Sequence, residues 1–405
     1  MGQEVKDVTR ICQKPQRLAI TTYGHQKSWQ VVIAASLITI LSISAISNII
    51  GAPITMAKGL HRYDALLLDL DQDGTLAQNV MCDTYIHSDD VPFWGKIAEL
   101  TTGGFAIAGY YIGEGESYND KKLWVIRTDE YYNPVWNRTY GDTVEIRAIA
   151  EMNNGDIAIG HYVEGYEDYG GIGPFQILVI DDEGEFVRER SWRFGWCSGF
   201  SHCDDGGFII AKEIYNTLNA SPFWMARIDT GLRVVWNKTY PSFASGTDIV
   251  EDMAGGFTMP LEPGLDGPIG IVRLDDQGDE TSRVFTNSTA VSWHLWLTQC
   301  SNGEYLGWSG NYIIRFNIEG EILWEKYVDF YVHGIKKLSS NRFVAFESAG
   351  VRALEWRNSG MDLECFDAGG TTIWNRSVQT AGSFVPDIIS NTDGGLTILG
   401  MVASN

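Results

Sequence analysis

Two short phrases alternate along this chain, and their alternation constrains the fold more than any other feature. One is a Gly-rich turn followed by an apolar run: Gly103-Gly104-Phe105-Ala106-Ile107, Gly206-Gly207-Phe208-Ile209-Ile210, Gly255-Gly256-Phe257-Thr258-Met259 and Gly394-Gly395-Leu396-Thr397-Ile398. The other is an apolar strand ending in an acidic turn, then a strand that often carries Trp. Examples are Trp124-Val125-Ile126-Arg127-Thr128-Asp129 with Trp136, and Trp224-Met225-Ala226-Arg227-Ile228-Asp229 with Trp236. A unit of about 50 residues with four short strands is the pattern of a β-propeller blade.

The turn glycines are Gly103, Gly155, Gly206, Gly255, Gly303 and Gly394, with Asn341 in the sixth place. The acidic-turn strands also number seven: Leu66–Asp71, Leu123–Asp129, Leu178–Asp181, Met225–Asp229, Ile271–Asp275, Ile313–Asn317 and Leu363–Asp367. The chain opens on an acidic-turn strand and closes on a Gly-turn strand. A ring explains this offset: the C-terminal strands near Phe384–Ser390 and Leu396–Val402 complete a blade with the N-terminal strands near Leu66–Asp71 and Thr75–Met81. Closure removes the open edges that invite aggregation. An open stack would want polar capping repeats, and the sequence shows none. The expectation is an all-β, single seven-bladed propeller. Its first two strands in each unit are apolar, its third alternates, and its fourth carries Trp136, Trp192, Trp236, Trp324 or Trp374 against the adjacent blade.

One segment departs from this pattern. Trp29 to Ile50 holds no charged residue and is long enough to span a hydrocarbon core as a helix. Lys6, Arg10, Lys14, Arg17 and Lys27 precede it against only Glu4 and Asp7. Basic residues before a span hold that side in the cytoplasm. The reading is therefore a basic cytoplasmic tail (1–28), a transmembrane signal anchor (29–50), a linker (51–63) and an extracytoplasmic propeller (64–405). A cleaved signal peptide, with cleavage near the serines that end the span, is the alternative. The whole chain carries a net charge of −22. That balance argues against nucleic acid, which needs a positive stripe. The lipid bilayer is the one partner the span itself implies.

With those motifs in hand, residues 64–405 resemble the secreted or membrane-tethered β-propeller repeat proteins of archaea and some bacteria. The repeat is also similar to the tryptophan-docking repeats of PQQ-like and WD40-like propellers. The resemblance implies the fold and an exported location. The PQQ-dependent members imply a quinone pocket, usually with calcium; this sequence has no adjacent Cys-Cys pair and no motif that carries over residue by residue.

Several features could carry chemistry. Asp69, Asp71 and Asp73 form a DxDxDG loop, three carboxylates at alternate positions that can surround Ca²⁺. Val80 stands where an EF-hand needs Glu, and Asp71 also holds the ordinary acidic-turn position. Asn137, Asn237 and Asn375 begin sequons directly after a repeat Trp, and Asn287 begins a fourth. Side chains alternate along a strand, so an inward Trp sends the next Asn to solvent, where a glycan can shield the edge. Cys197 and Cys203 are close enough in sequence to bridge in an oxidising exterior. The histidines are scattered, and none shows a metal-ligand spacing.

The loops between second and third strands hold Tyr110, Tyr111, Tyr118, Tyr162, Tyr166 and Tyr169 among glycines and acids. Such loops on a rigid scaffold make adaptable contact surfaces; the alternative is a solvated loop with tyrosines resting on the blade edge. The linker enters and the C-terminus leaves on this same face. The sequence thus favours a binding module at the cell surface for an envelope protein, a peptide or a carbohydrate. The alternatives are a propeller enzyme (a quinone-dependent dehydrogenase, or a hydrolase or lyase) and a structural surface-layer component.

Overall fold

The computed structural model describes residues 61–404, apart from 89–94, 112–120, 144, 165–171, 194–196, 198, 214–222, 241–248, 254, 262–268, 289–294, 301, 339–340, 348–359 and 380–383. The expected span 29–50 lies outside the described residues. Among those described, no helix is long and apolar enough to cross a membrane.

The described residues form seven four-stranded antiparallel sheets. Six are contiguous in sequence and are numbered here as blades 1 to 6: 96–142, 145–192, 199–240, 250–285, 296–327 and 334–379. The seventh is built from both ends of the chain. From the axis outward it runs Phe384–Ser390, Leu396–Ser404, His61–Leu70 and Leu76–Ser88. Leu70 pairs with Leu396, Leu67 with Leu399 and Arg62 with Ser404. The ring closes as the offset of the two repeats requires, although the first strand begins at His61, inside the expected linker. Alternation then sends Leu67 into the core shared with blade 1, and Leu68 and Leu70 into the core shared with blade 6.

Burial follows distance from the axis. The second strands are buried on both faces, as in Phe257–Leu261 and Tyr305–Ser309, and the third nearly so, as in Lys122–Thr128. Alternation appears in the fourth strand, as in Ile322–Tyr327, and not in the third as the sequence suggested. The first strands, such as Lys96–Glu99 and Trp296–Gln299, are mostly half-buried, because one side borders the axial channel.

The seams between blades are held by a repeated contact. Each docking Trp donates its indole N–H to a backbone carbonyl in the third-to-fourth turn of the next blade. Trp136 reaches Asp182 O at 2.7 Å, Trp236 reaches Asp276 O at 2.7 Å, Trp324 reaches Ala368 O at 2.9 Å and Trp374 reaches Gln72 O at 3.0 Å. A glycine of the same turn lies beneath each ring: Gly184, Gly278, Gly370 and Gly74. Their φ values lie between 70° and 81°. A Cβ there would come within 3.2 Å of the Trp136 ring, 2.8 Å of Trp236, 3.1 Å of Trp324 and 2.9 Å of Trp374. Glycine is thus needed twice, for its backbone angle and for the space.

Trp192 does not belong to this set. It pairs with Phe175, farther along its strand, and Arg188 (opposite Val179) takes the docking place. The turn facing it carries Leu232 instead of Gly, at φ 61° and 2% exposed. Leu232 packs with Met152 and Ala158 of blade 2 and fills the seam from the other side. Between blades 7 and 1 the docking residue is Gln78, whose amide donates to Tyr131 O at 3.4 Å. There the turn carries Tyr132 at φ 64°, stacked on Phe105 at 5.0 Å and linked to Thr397 of blade 7. These two seams therefore take their filler from the turn, not from the preceding blade's indole.

Two outcomes are expected. Trp374→Ala should lower unfolding stability by about 3–5 kcal/mol, read as a lower urea midpoint, because it removes a buried aromatic from the closing seam. Arg188→Trp should destabilise on its own and be rescued when combined with Leu232→Gly. The double-mutant cycle should show coupling of about 1 kcal/mol or more.

Candidate functional site

The two faces of the disc are built differently. On one face every described connection is a tight turn, such as Asp71 to Thr75 and Leu100 to Gly104. In the acidic turns one carboxylate or amide oxygen accepts two backbone N–H groups, as Asp71 does from Asp73 and Thr75, both at 2.9 Å. The last residue of several first strands stitches this face around the ring. Glu99 accepts from the Thr392 N–H and hydroxyl, Glu151 from those of Thr101, Glu251 from the Asp204 N–H and Gln299 from the Met253 N–H. The sequence reading missed these residues. Their signal was an acid or amide four residues before the turn glycine, but the partner one blade away leaves no local trace.

The opposite face receives the second-to-third-strand and blade-to-blade connections, because strand direction alternates. Segments 112–120, 165–171, 214–222, 262–268 and 348–359 all leave from strand ends on this face. So does the chain that leads into His61. Blades 7, 1 and 2 place a group of charges at its mouth. Lys96 pairs with Asp387 at 3.6 Å, and Asp387 also accepts the Ile97 N–H at 3.2 Å. Glu145 pairs with Arg147 at 3.3 Å. Burial raises the Glu145 carboxyl above its ordinary range, while Arg147, Lys96 and Lys121 pull it back. Lys121 lies over the Tyr110 ring at 4.7 Å, and the Arg147 guanidinium over the Tyr162 ring at 5.7 Å.

That geometry reassigns two of the tyrosines. Tyr110 and Tyr162 are 1% and 0% exposed, so their rings form the floor beneath two cations and offer no contact surface of their own. Both sit in second strands, which are covered on two faces. Tyr111 ends the same strand as Tyr110; its side chain, and Tyr118, Tyr166 and Tyr169, lie outside the described residues.

The aspartates of the DxDxDG loop are spread over separate tasks. Asp71 serves its own turn, Asp69 accepts from Asn391 at 3.2 Å, and the Asp73 carbonyl accepts from Arg376 at 3.1 Å. Burial, then the nearby Asp393, raises the Asp69 carboxyl. Among the described residues no group of three or more His, Cys, Asp or Glu side chains is placed to hold a metal. The loop has the backbone geometry of an acidic turn, closed by the Asp71 carboxylate.

Cys197 and Cys203 are free buried thiols, not the bridge their spacing allowed. The first strand of blade 3 separates them. Cys197 packs with Tyr162 and Phe175 toward blade 2, and Cys203 with Met259 and Phe257 toward blade 4. Burial pushes each up to about 12. Asn137, Asn237, Asn287 and Asn375 are exposed, and the Trp before three of them turns inward, as alternation required.

Among the histidines, His161 is buried in blade 2 and lowered to about 4 by burial. His202 ends the first strand of blade 3, in the place that Glu151 and Glu251 hold in their blades, and its Nε2 is buried without a hydrogen bond.

No family model and no curated protein matches the chain. Solved structures with a similar fold include a protein of unknown function from Bacteroides caccae, at 13% identity and a TM-score of 0.44, covering 71% of this chain and 94% of that one. The C-terminal WD40 domain of Sif2 is similar at 9% identity and TM-score 0.47, covering 76% and 95%. The Dos1 propeller is similar at 11% identity and TM-score 0.44, covering 82% and 73%. At such scores these likenesses carry no argument about function.

His161 gives this part of the molecule a pH signature. Its folded value of about 4 lies below the ordinary 6.5, so the native state binds fewer protons than the unfolded state between those values. Its stability contribution is complete above pH 6.5 and should fall as pH drops toward 4, by up to about 3 kcal/mol. Unfolding midpoints across that range should show the loss in the native chain and a shallower slope in His161→Gln.

Proposed function

We propose that this propeller is a binding module on the outer side of a cell membrane, tethered by residues 29–50. It engages an envelope protein, a peptide or a carbohydrate through its loop-bearing face. One observation supports this above the others. One face is stitched shut by short turns, whereas the other collects the long connections and the Lys96, Glu145, Arg147 and Asp387 charges. Binding residues concentrate on loops held by a rigid scaffold. The exposed sequon asparagines on outer strands suit an exported rim, and fold alone assigns no activity.

A second reading draws on Glu145. A burial-raised carboxyl at a mouth is a feature of catalytic acids as well as of ion-pair networks. Under that reading Glu145→Gln abolishes turnover of a substrate with little effect on its binding. Under the preferred reading there is no turnover to abolish.

The test uses the full chain on cells and purified. Protease added to intact cells should digest the propeller without lysis; protection of the propeller until lysis would refute the outward location. Glycan and peptide arrays should then yield a ligand whose affinity falls about tenfold or more in a Lys96→Glu, Glu145→Lys variant, by loss of charge-assisted contacts. A ligand bound equally by that variant, and blocked by substitutions on the tight-turn face, would reverse the assignment of faces.

A further inference from the structure

The seam between blades 1 and 2 contains a cleft of about 140 Å³, lined by Leu123, Tyr140, His161, Gln176, Leu178 and Glu189. It lies in the wall between two blades, between the outer strand of blade 1 and the outer strand of blade 2. Exposed Phe186 and Glu189 stand at its edge. Leu123 and Leu178 make its inner walls apolar.

His161, 2% exposed, is the buried imidazole in this wall, beside the polar side chains of Tyr140, Gln176 and Glu189. Its Nδ1 meets the Thr143 hydroxyl at 3.2 Å, and that hydroxyl donates to the Tyr162 carbonyl at 3.1 Å. We assign the tautomer from these two partners, with the Thr143 proton donated to the carbonyl. Because Thr143 gives its proton to a carbonyl, its oxygen is left to accept, so Nδ1 carries the ring proton. Nε2 therefore presents a lone pair, and no hydrogen bond within the described residues uses it. The seam between blades 3 and 4 offers a comparison. There Tyr240 bonds the Gly278 carbonyl just as Tyr140 bonds that of Gly184. Apolar Leu261, 3% exposed, occupies the place of His161.

We propose that this cleft binds an aromatic ring carrying a hydroxyl group, of phenol size, whose O–H donates to His161 Nε2 while the ring packs on Leu123 and Leu178. The volume of this half-open cleft is close to that of an enclosed apolar cavity that admits benzene, about 150 Å³. A lone pair beside Leu123 and Leu178, in a cleft edged by the Glu189 carboxylate, asks for a donor, so a carboxylate or phosphate is disfavoured and a plain hydrocarbon leaves the nitrogen unpaired. The ring can arrive as a free phenol or as the tyrosine side chain of a partner protein.

The experiment titrates the purified full chain with p-cresol, toluene and N-acetyl-tyrosinamide, reading heat of binding and the His161 Nε2 nitrogen shift. The expected result is a preference of about tenfold for p-cresol over toluene, the worth of one hydrogen bond. His161→Gln, which keeps an acceptor, should retain part of that preference. His161→Leu, the side chain found at the sister seam, should abolish it. Binding of N-acetyl-tyrosinamide with p-cresol assigns the cleft to a partner's tyrosine; p-cresol alone assigns it to a free phenol. Equal affinity for p-cresol and toluene, no binding of either, or an unmoved Nε2 shift would each overturn the proposal.

Discussion

The packing of an indole onto a glycine of the next blade is the contact on which the ring depends. A propeller blade has little to hold it except its two neighbours, so each seam must be filled and must have its polar atoms satisfied. One tryptophan does both, by ring area and by its N–H. The glycine permits this because it leaves the ring room and accepts the left-handed turn. At two of the three seams that depart from the pair, both halves change together: Arg188 faces Leu232 and Gln78 faces Tyr132. The seam between blades 4 and 5 keeps Gly320 but presents Ser282, and there Val284 lies nearest the glycine, within 2.5 Å of where a Cβ would stand.

A second layer of contacts lies inside this belt. Basic residues two positions after the docking residue share its strand face and reach the same turn. Arg138, Arg190, Lys326 and Arg376 donate to the carbonyls of Gly184, Leu232, Gly370 and Asp73. Near the axis, carboxylates and an amide at the ends of first strands hold the adjacent turn. The seams between blades 1 and 2, 3 and 4, and 7 and 1 are thus fixed at the rim and at the hub, with the doubly buried second and third strands between. The two faces therefore differ: the tight turns and their cross-blade hydrogen bonds lie on one, and the longer connections leave from the other.

Much of this was legible in the sequence, because the determinants are local. The Asp-x-x-Gly turns and Gly-Gly-aromatic runs mark strand ends directly, and the offset between the two series gave the closure between His61–Leu70 and Leu396–Ser404. The outward direction of Asn137, Asn237 and Asn375 followed from the period of a strand. Other features were not legible for a physical reason. Tyr110 and Tyr162 sit at the ends of strands buried on both faces, where alternation gives no signal, so neighbouring loop composition misdirected the reading. Trp192 differs in spacing alone: it stands eleven residues after Asp181, whereas Trp136, Trp236, Trp324 and Trp374 stand seven after their turn residue. The charges at the mouth come from three blades and from both ends of the chain, so no window of sequence holds them together.

The seventh blade also sets an order of events. Its two outer strands are made first and its two inner strands last, with six complete blades between them. Until residues near 396–404 leave the ribosome, His61–Leu70 has an unsatisfied ladder on the side that Leu396–Ser404 will occupy. Such waiting edges recruit other chains. Synthesis of this protein therefore contains an interval in which nearly everything is folded and the most vulnerable strand is still waiting for its partner.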